Sequence, residues 1–394
     1  MECDFVALAA PGVRTLQPYQ PGKPESELRR EYGLSDIVKL ASNENPLGPS
    51  PKVIAAVQAN LAELARYPDG NGFELKAALA ARHGVPVTGV TLGNGSNDVL
   101  EMVARAFLTP EHAAVFSAHA FAVYPIVTRA VGATAQVAPA NAADHAMPYG
   151  HDLAALYALI DARTRIVFIA NPNNPTGTWL TAAALESFLS AVPGNIIVVV
   201  DEAYCEYVEE ADYPDTMAWR ERFPNLVVTR TFSKAYGLAG LRVGYALSHP
   251  QVADLLNRVR QPFNVNSLAL VAAVAALEDS DYLAQSQALN RSGMRQLRAD
   301  LAGLGLRCLP SVGNFLCVDM GRPGRDVFAA LLPRGVIVRP VDNYGLPDFL
   351  RVTVGSAREN QRLIAALTEV LENFPSPPLR KGESPPHLPL RKGG

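Results

Sequence analysis

Three short runs rich in β-branched residues each hand over to a residue type capable of chemistry. Residues 165–170 lead into Asn171-Pro-Asn-Asn-Pro-Thr-Gly177, residues 195–200 into Asp201-Glu-Ala-Tyr204, and residues 226–229 into Thr231-Phe-Ser-Lys-Ala235. In an open α/β sheet, ligands sit beyond the carboxyl ends of the strands. The three ends therefore deliver an amide (Asn174), a carboxylate with a phenol (Asp201, Tyr204) and an amine (Lys234) to one rim. Singly each has an ordinary explanation: a helix cap, a surface lysine, a turn. In this order, each directly after a strand, they point to one shared site.

The ligand these types suit is pyridoxal 5′-phosphate (PLP). A lysine amine condenses with an aldehyde, and the imine so formed exchanges with an incoming substrate amine. A carboxylate opposite the pyridine nitrogen keeps that nitrogen protonated, which lets the ring draw electrons from a breaking Cα–H bond. At about 4 Å and intermediate dielectric such a pair is worth on the order of 4 kcal/mol before desolvation. Asp201 is expected in that role, with Asn174 and Tyr204 hydrogen-bonding the ring oxygen. For the phosphate, Gly93-Asn-Gly-Ser-Asn97 precedes a helical pattern whose apolar face is Val99, Leu100, Val103 and Phe107. The free N–H groups and dipole at a helix N-terminus suit an anion. The turn matches neither the dinucleotide fingerprint, since Asp98 stands where the third glycine belongs, nor a P-loop, since no Gly-Lys-Ser/Thr follows. Ser233 and Arg242 add donors, Arg242 through a two-pronged contact.

The elements that position these groups follow from the same pattern. Strand-like runs at residues 113–116, 165–170, 195–200 and 226–229 alternate with helical segments such as 182–189, which predicts a largely parallel sheet covered on both faces. Residues 196–200 are apolar throughout, as a central parallel strand requires. Ser50-Pro51 starts a helix whose apolar face is expected to run through Val53, Val57, Leu61 and Leu64; the next helix should stop near Gly84. A long helix from about 281 to 304, strands at 315–319, 336–339 and 349–353, and a last helix near 359–371 read as a smaller α+β lobe. Pro378-Leu-Arg-Lys-Gly382 recurs as Pro389-Leu-Arg-Lys-Gly393 in a proline-rich stretch that cannot bury a core, so residues 375–394 are expected to be disordered.

At 394 residues the chain is too long for one core and suits two lobes. A net charge of −3 argues against nucleic acid or an acidic membrane surface as partner, so an anionic ligand must be held by a few local groups. The N-terminus lacks a secretory pattern and no apolar run reaches membrane-spanning length; residues 268–277 read as a buried helix. The four cysteines and seven histidines show no metal-ligand spacing. A reduced, cytoplasmic, metal-free protein is expected.

On Asn43-Glu-Asn-Pro46, Tyr67-Pro-Asp-Gly70, the Asn171–Gly177 and Asp201–Tyr204 segments, and Thr231-Phe-Ser-Lys-Ala-Tyr-Gly-Leu-Ala-Gly-Leu-Arg242, the chain from about Tyr19 to Leu371 resembles the fold-type I, class-II PLP-dependent aminotransferases. Within them it is similar to the branch acting on histidinol phosphate. The resemblance implies an α/β fold, a mainly parallel central sheet flanked by helices plus a smaller α+β lobe. We expect residues 1–44 to join the small lobe, 45–280 to form the large cofactor domain and 281–374 the small one. It further implies that Lys234, in a segment that includes Thr231, carries the cofactor. Backbone at Ser96 and Asn97 and side chains of Ser233 and Arg242 would meet its phosphate. Phe121, where many members have tyrosine, would stack on its ring. Tyr67 is similar to the residue that reaches the neighbouring subunit's phosphate, which implies a homodimer. Arg351 and Arg339 resemble anion-binding arginines for substrate, and Tyr19 a gate tyrosine; Asn174 would also face substrate. The implied reaction moves the amine of L-histidinol phosphate to 2-oxoglutarate, giving imidazole-acetol phosphate and L-glutamate, in histidine biosynthesis.

Three other readings share these motifs. An aminotransferase for aromatic amino acids needs the same room for a flat ring. A PLP-dependent decarboxylase of a phosphorylated amino acid uses the same cofactor site. A PLP-binding regulator without turnover is disfavoured, since no helix-turn-helix extension precedes the fold and the net charge is acidic.

Overall fold

A computed structural model describes residues 3–19 and 21–373. The proline-rich tail expected over residues 375–394 lies outside the described residues. The larger part is built on a seven-stranded sheet of β1 (Val90–Gly93), β2 (Ala113–Ser117), β3 (Thr134–Ala138), β4 (Thr164–Ala170), β5 (Ile197–Asp201), β6 (Leu226–Thr231) and β7 (Gly244–Leu247), in the order β1-β7-β6-β5-β4-β2-β3. Only β7 runs antiparallel to its neighbours.

The central strands are apolar on both faces because both are covered. Along β4, Ile166 and Phe168 pack into one core with the helix Ser96–Phe107, while Val167 and Ile169 pack into another with the helix Ala182–Ala191. Along β5, Val199 goes to the first and Val198 and Val200 to the second. This strict alternation fixes the register, since a one-residue slip would exchange the two cores.

The C-terminal lobe holds Arg307–Cys308, Phe315–Asp319, Arg339–Pro340 and Phe349–Thr353 in one four-stranded sheet. The helices Ser280–Gly303, Gly324–Leu331 and Ala357–Asn373 pack against it around Leu297, Leu316, Val352 and Leu363. The run 336–339, expected as one strand, is divided. Val336–Ile337 pairs in parallel with Val38–Lys39, whereas Arg339–Pro340 pairs antiparallel with Phe349–Thr353, putting Arg339 directly opposite Arg351. The chain changes partner at the buried Val338.

The first helix after Ser50 spans Pro51–Asn60, with the Ser50 hydroxyl accepting from the Val53 N–H and proline in the first turn. It ends one turn short of the expected apolar face. A 3₁₀ turn takes over at Leu61–Glu63, and Leu61 and Leu64 lie exposed, because their spacing no longer keeps them in phase with Val53. Gly84, in the left-handed conformation, closes the helix Phe73–His83 as expected. The Ala-rich run forms the helix Ser267–Leu277, which packs on Pro51–Asn60 through small buried alanines.

Candidate active site

Asn174, Asp201, Tyr204 and Lys234, each delivered by the chain leaving β4, β5 or β6, line one cavity of about 180 Å³. Ser96, Asn97, Phe121, Thr231, Ser233 and Arg242 share its wall, and Tyr19, Arg339 and Arg351 bound it from the N-terminal segment and the small lobe. Tyr67 does not line it. Its ring is 82% exposed and stacks on Phe263 at 4.7 Å, and Phe263 holds a left-handed backbone with φ of 56°.

Asp201 ends β5 with both oxygens in use. Oδ1 accepts from the Thr229 hydroxyl at 2.8 Å and Oδ2 from the Tyr124 hydroxyl at 3.1 Å. Burial pushes its carboxyl up to about 6, against the lowering effect of those two donors. Lys234 donates from Nζ to the Ser42 carbonyl at 3.0 Å. Desolvation by the cavity walls, reinforced by the Arg351 guanidinium, pushes its amine down to about 7. Tyr204, pushed up to about 12 by burial, accepts from Asn43 Nδ2 at 2.9 Å, which leaves its own O–H free to donate.

The turn between β1 and the helix Ser96–Phe107 is shaped by glycine. Gly95 has φ of 80°, and a Cβ there would run into the Arg242 guanidinium; a Cβ on Gly244 would come within 2.5 Å of the Ser96 amide nitrogen. The helix start, the Arg242 guanidinium and the Ser233 hydroxyl, which accepts from Arg242 at 3.3 Å, thus lie together. Asp98 in the first helical turn accepts from the Asn94 N–H and from Asn264, bracing this turn rather than competing for an anion.

The residues at the other end of the cavity come from the small lobe. Arg339 and Arg351 are directly opposed across an antiparallel pair and only 9% and 7% exposed. Both line the cavity wall, where a guanidinium suits an anion. Arg351 donates from Nη1 to Asn174 Oδ1, in the chain leaving β4, at 2.6 Å and from Nη2 to the Ala41 carbonyl, in the N-terminal segment, at 2.7 Å. The Arg339 guanidinium lies 5.9 Å from the centre of the half-exposed Tyr19 ring.

Two site residues have no role in the sequence reading. Tyr124 is fully buried, stacked on Phe168 at 4.8 Å and edge-on to Phe121 at 5.9 Å, with its hydroxyl on Asp201. Its place one helical turn after Phe121 was the only available signal. Asn43, with φ of 54°, bonds Tyr204 through its side chain, and its carbonyl accepts from Asn314. Successive positions 41, 42 and 43 thereby contact Arg351, Lys234 and Tyr204. Among the described residues no helix is long and apolar enough to cross a membrane, and no group of three or more His, Cys, Asp or Glu could hold a metal ion.

A carboxylate, an amine, a phenol and a helix N-terminus lining one cavity define a class. Residues 35–367 match the class I and II aminotransferases, and the chain belongs to that family. Histidinol-phosphate aminotransferase 2 of Pseudomonas fluorescens is 62% identical over 373 residues, covering 94% of this chain and 99% of the relative. Histidinol-phosphate aminotransferase 1 of Nitrosococcus oceani is 56% identical over 94% of this chain and 98% of its own. Among solved structures, the histidinol-phosphate aminotransferase of Sinorhizobium meliloti in complex with pyridoxal-5′-phosphate superposes with a TM-score of 0.84 at 29% identity, over 92% of this chain and 97% of that one. Within the class, this chain belongs with the histidinol-phosphate aminotransferases. The donor set also fits PLP part by part: an amine for the aldehyde, a carboxylate for the ring nitrogen, and a glycine-shaped helix start with Ser233 and Arg242 for the phosphate.

Proposed function

We propose that this chain transfers the amino group of L-histidinol phosphate to 2-oxoglutarate with PLP as cofactor, giving imidazole-acetol phosphate and L-glutamate in L-histidine biosynthesis. The observation that carries the substrate reading is the buried pair Arg339 and Arg351, opposed across two strands at the cavity wall. One substrate brings a phosphate and the other two carboxylates, and a guanidinium suits either anion. The 62% identity to a histidinol-phosphate aminotransferase supports the same reading. Aromatic amino acids and phosphorylated amino acids, the latter with loss of carbon dioxide, are the competing substrates.

The roles follow from chemistry and placement. Lys234 holds the cofactor covalently. Asp201 would pair with the pyridine nitrogen, Asn174 and Tyr204 would hydrogen-bond the ring oxygen, and Phe121 would cover a ring face. The Ser96 and Asn97 amides, Ser233 and Arg242 hold the phosphate, with Thr231 accepting the Ser233 N–H at 3.1 Å to set that loop. PLP, when bound, supplies the electron sink that makes the substrate's Cα–H acidic. Once displaced by the substrate amine, Lys234 would move the proton: an amine pushed down to about 7 is substantially neutral at physiological pH and would take the proton from Cα and deliver it to the cofactor carbon C4′. Arg351, Arg339 and Tyr19 bind and orient the substrate anion. The exposed Tyr67 reaches the cofactor phosphate of a second copy, so the working unit is a homodimer. Four free cysteines and the biosynthetic role suit the cytoplasm.

The test is a half-reaction screen. The PLP-loaded protein is mixed separately with histidinol phosphate, phenylalanine, tyrosine, aspartate and O-phosphothreonine, following the cofactor spectrum and carbon dioxide release. Histidinol phosphate should convert the spectrum fastest and release no carbon dioxide. Faster conversion by an aromatic amino acid, or carbon dioxide from O-phosphothreonine, would replace the proposal by the corresponding rival.

A further inference from the structure

We propose that Tyr124 is a positioning residue that holds the Asp201 carboxylate ionised and aimed, through the hydrogen bond from its buried hydroxyl. The inference deepens the proposed function and rests on its reading of Asp201 as the partner of the pyridine nitrogen.

Packing alone does not explain Tyr124. Its ring is clamped between Phe168, stacked at 4.8 Å with an interplanar angle of 6°, and Phe121, edge-on at 88°. Phenylalanine would fill that slot equally well and without a polar atom to satisfy. A fully buried phenol needs a partner, and the partner it has is Asp201 Oδ2, at 3.1 Å and 77 residues away in sequence. The rigid ring therefore works as a strut that carries a donor from the helix Val123–Ala130 to the tip of β5.

The geometry discriminates between the two ionisation states of Asp201. Each carboxyl oxygen receives one donor, Thr229 from β6 on Oδ1 and Tyr124 from the helix on Oδ2. Two donors from two elements suit a carboxylate; a protonated carboxyl would oblige one of these hydroxyls to turn from donor to acceptor. They also fix the carboxylate plane. The surroundings otherwise oppose ionisation, through burial and the neighbouring charge of Glu202. Glu202 is itself paired with Arg230 at 2.7 Å and accepts from Thr216 at 2.6 Å, which contains that charge. Tyr204, Lys234, Arg242, Arg339 and Arg351 share the cavity with Asp201. Tyr124's own phenol lies well above its ordinary range, through burial and the Asp201 charge, so it remains a donor wherever the protein is folded.

The experiment uses Tyr124→Phe and, for the opposite sign, 3,5-difluorotyrosine at position 124, whose more acidic hydroxyl is a stronger donor in the same ring. Two readouts are taken: the Asp201 carboxyl titration in the cofactor-free protein by carbon-13 NMR, and the PLP dissociation constant as a function of pH. A hydrogen bond to a charged group corresponds to about one pH unit or more. Tyr124→Phe should move the Asp201 midpoint up by about that much, and the pH at which PLP affinity is half lost should move with it. Difluorotyrosine should move both down. An unmoved Asp201 midpoint in both variants overturns the proposal, and should Tyr124→Phe fail to fold, the difluorotyrosine arm alone decides it. A moved midpoint with an unmoved affinity profile upholds Tyr124 as the Asp201 donor and overturns instead the reading of Asp201 as the pyridine partner.

Discussion

The Arg351 guanidinium donates to the side-chain oxygen of Asn174 at 2.6 Å, tying the strand Phe349–Thr353 of the small lobe to the chain leaving β4. With its side-chain oxygen accepting from Arg351, Asn174 keeps its NH₂ as a donor. The second Arg351 prong goes to Ala41, and its Nε has no partner among the described residues. An anion therefore meets an arginine whose plane is already set.

Arg351→Ala should raise KM for both substrates by roughly 10- to 100-fold, the range for losing a charged hydrogen bond. Arg351→Lys should restore little, since a single ammonium cannot reach Asn174, Ala41 and substrate together. Steady-state kinetics with each substrate varied in turn checks this. An effect confined to one substrate would mean that the anion site is not shared.

Lys234→Ala should abolish turnover while leaving the fold intact, as judged by circular dichroism. Burying this amine also has a cost to stability whose pH dependence follows from the direction of its shift. An unfolded lysine keeps its proton to about 10.5, whereas Lys234 loses it near 7. Between these values the unfolded chain binds more protons, so this group's contribution to stability rises with pH; below 7 the full cost is present. Lys234→Met removes the cost. In urea melts of the cofactor-free protein, the variant should be more stable than the parent at pH 6.5, and the gap should narrow steadily toward pH 9.5. A constant gap would mean that the amine is not desolvated.

Asp201→Ala should weaken PLP retention and slow the chemical step severely, measured by dialysis and by single-turnover absorbance. Near-normal rates would discredit its assignment to the pyridine nitrogen. Thr229→Val, which removes the donor on Oδ1, should reproduce the retention defect in milder form.

What could be read in the sequence is what local pattern decides. β4 and β5 are buried on both faces and largely apolar, and β6 begins with an apolar run at Leu226–Val228, so the ends of these strands, with Asn174, Asp201 and Lys234, stand out. β1 and β7 have four residues each and contain glycine; pairing with neighbours makes them strands, not composition. β3 lies at the sheet edge with a mixed surface and was equally silent. The opposition of Arg339 and Arg351 depends on where the chain changes partner at Val338, a matter of tertiary pairing. Tyr67, Tyr19, Arg339 and Arg351 had no local signal and entered through the resemblance alone. Tyr124 follows Phe121 by three residues, but its contact with Asp201 forms only when the helix Val123–Ala130 docks on the sheet.

The position of Tyr67 yields the most discriminating prediction. Its ring is exposed, outside the cavity of its own chain, and held by the stack on Phe263. The loop carrying Phe263 is anchored through Asn264, which donates to Asp98 at 2.7 Å and to the Leu92 carbonyl at 3.1 Å. If Tyr67 serves the partner's phosphate, Tyr67→Phe on one protomer and Lys234→Ala on the other fall in the same site of a mixed dimer, and the second site is intact. The protomer carrying Tyr67→Phe keeps its lysine and receives an intact Tyr67 from its partner. Hybrids purified with two distinct affinity tags should then show one site with parental PLP affinity and about half the parental turnover. If Tyr67 acts within its own chain, the lysine-bearing site is also the Tyr67-defective one, and the hybrid should show the weakened PLP affinity of the Tyr67→Phe homodimer. Titration of PLP into the cofactor-free hybrid separates the two outcomes.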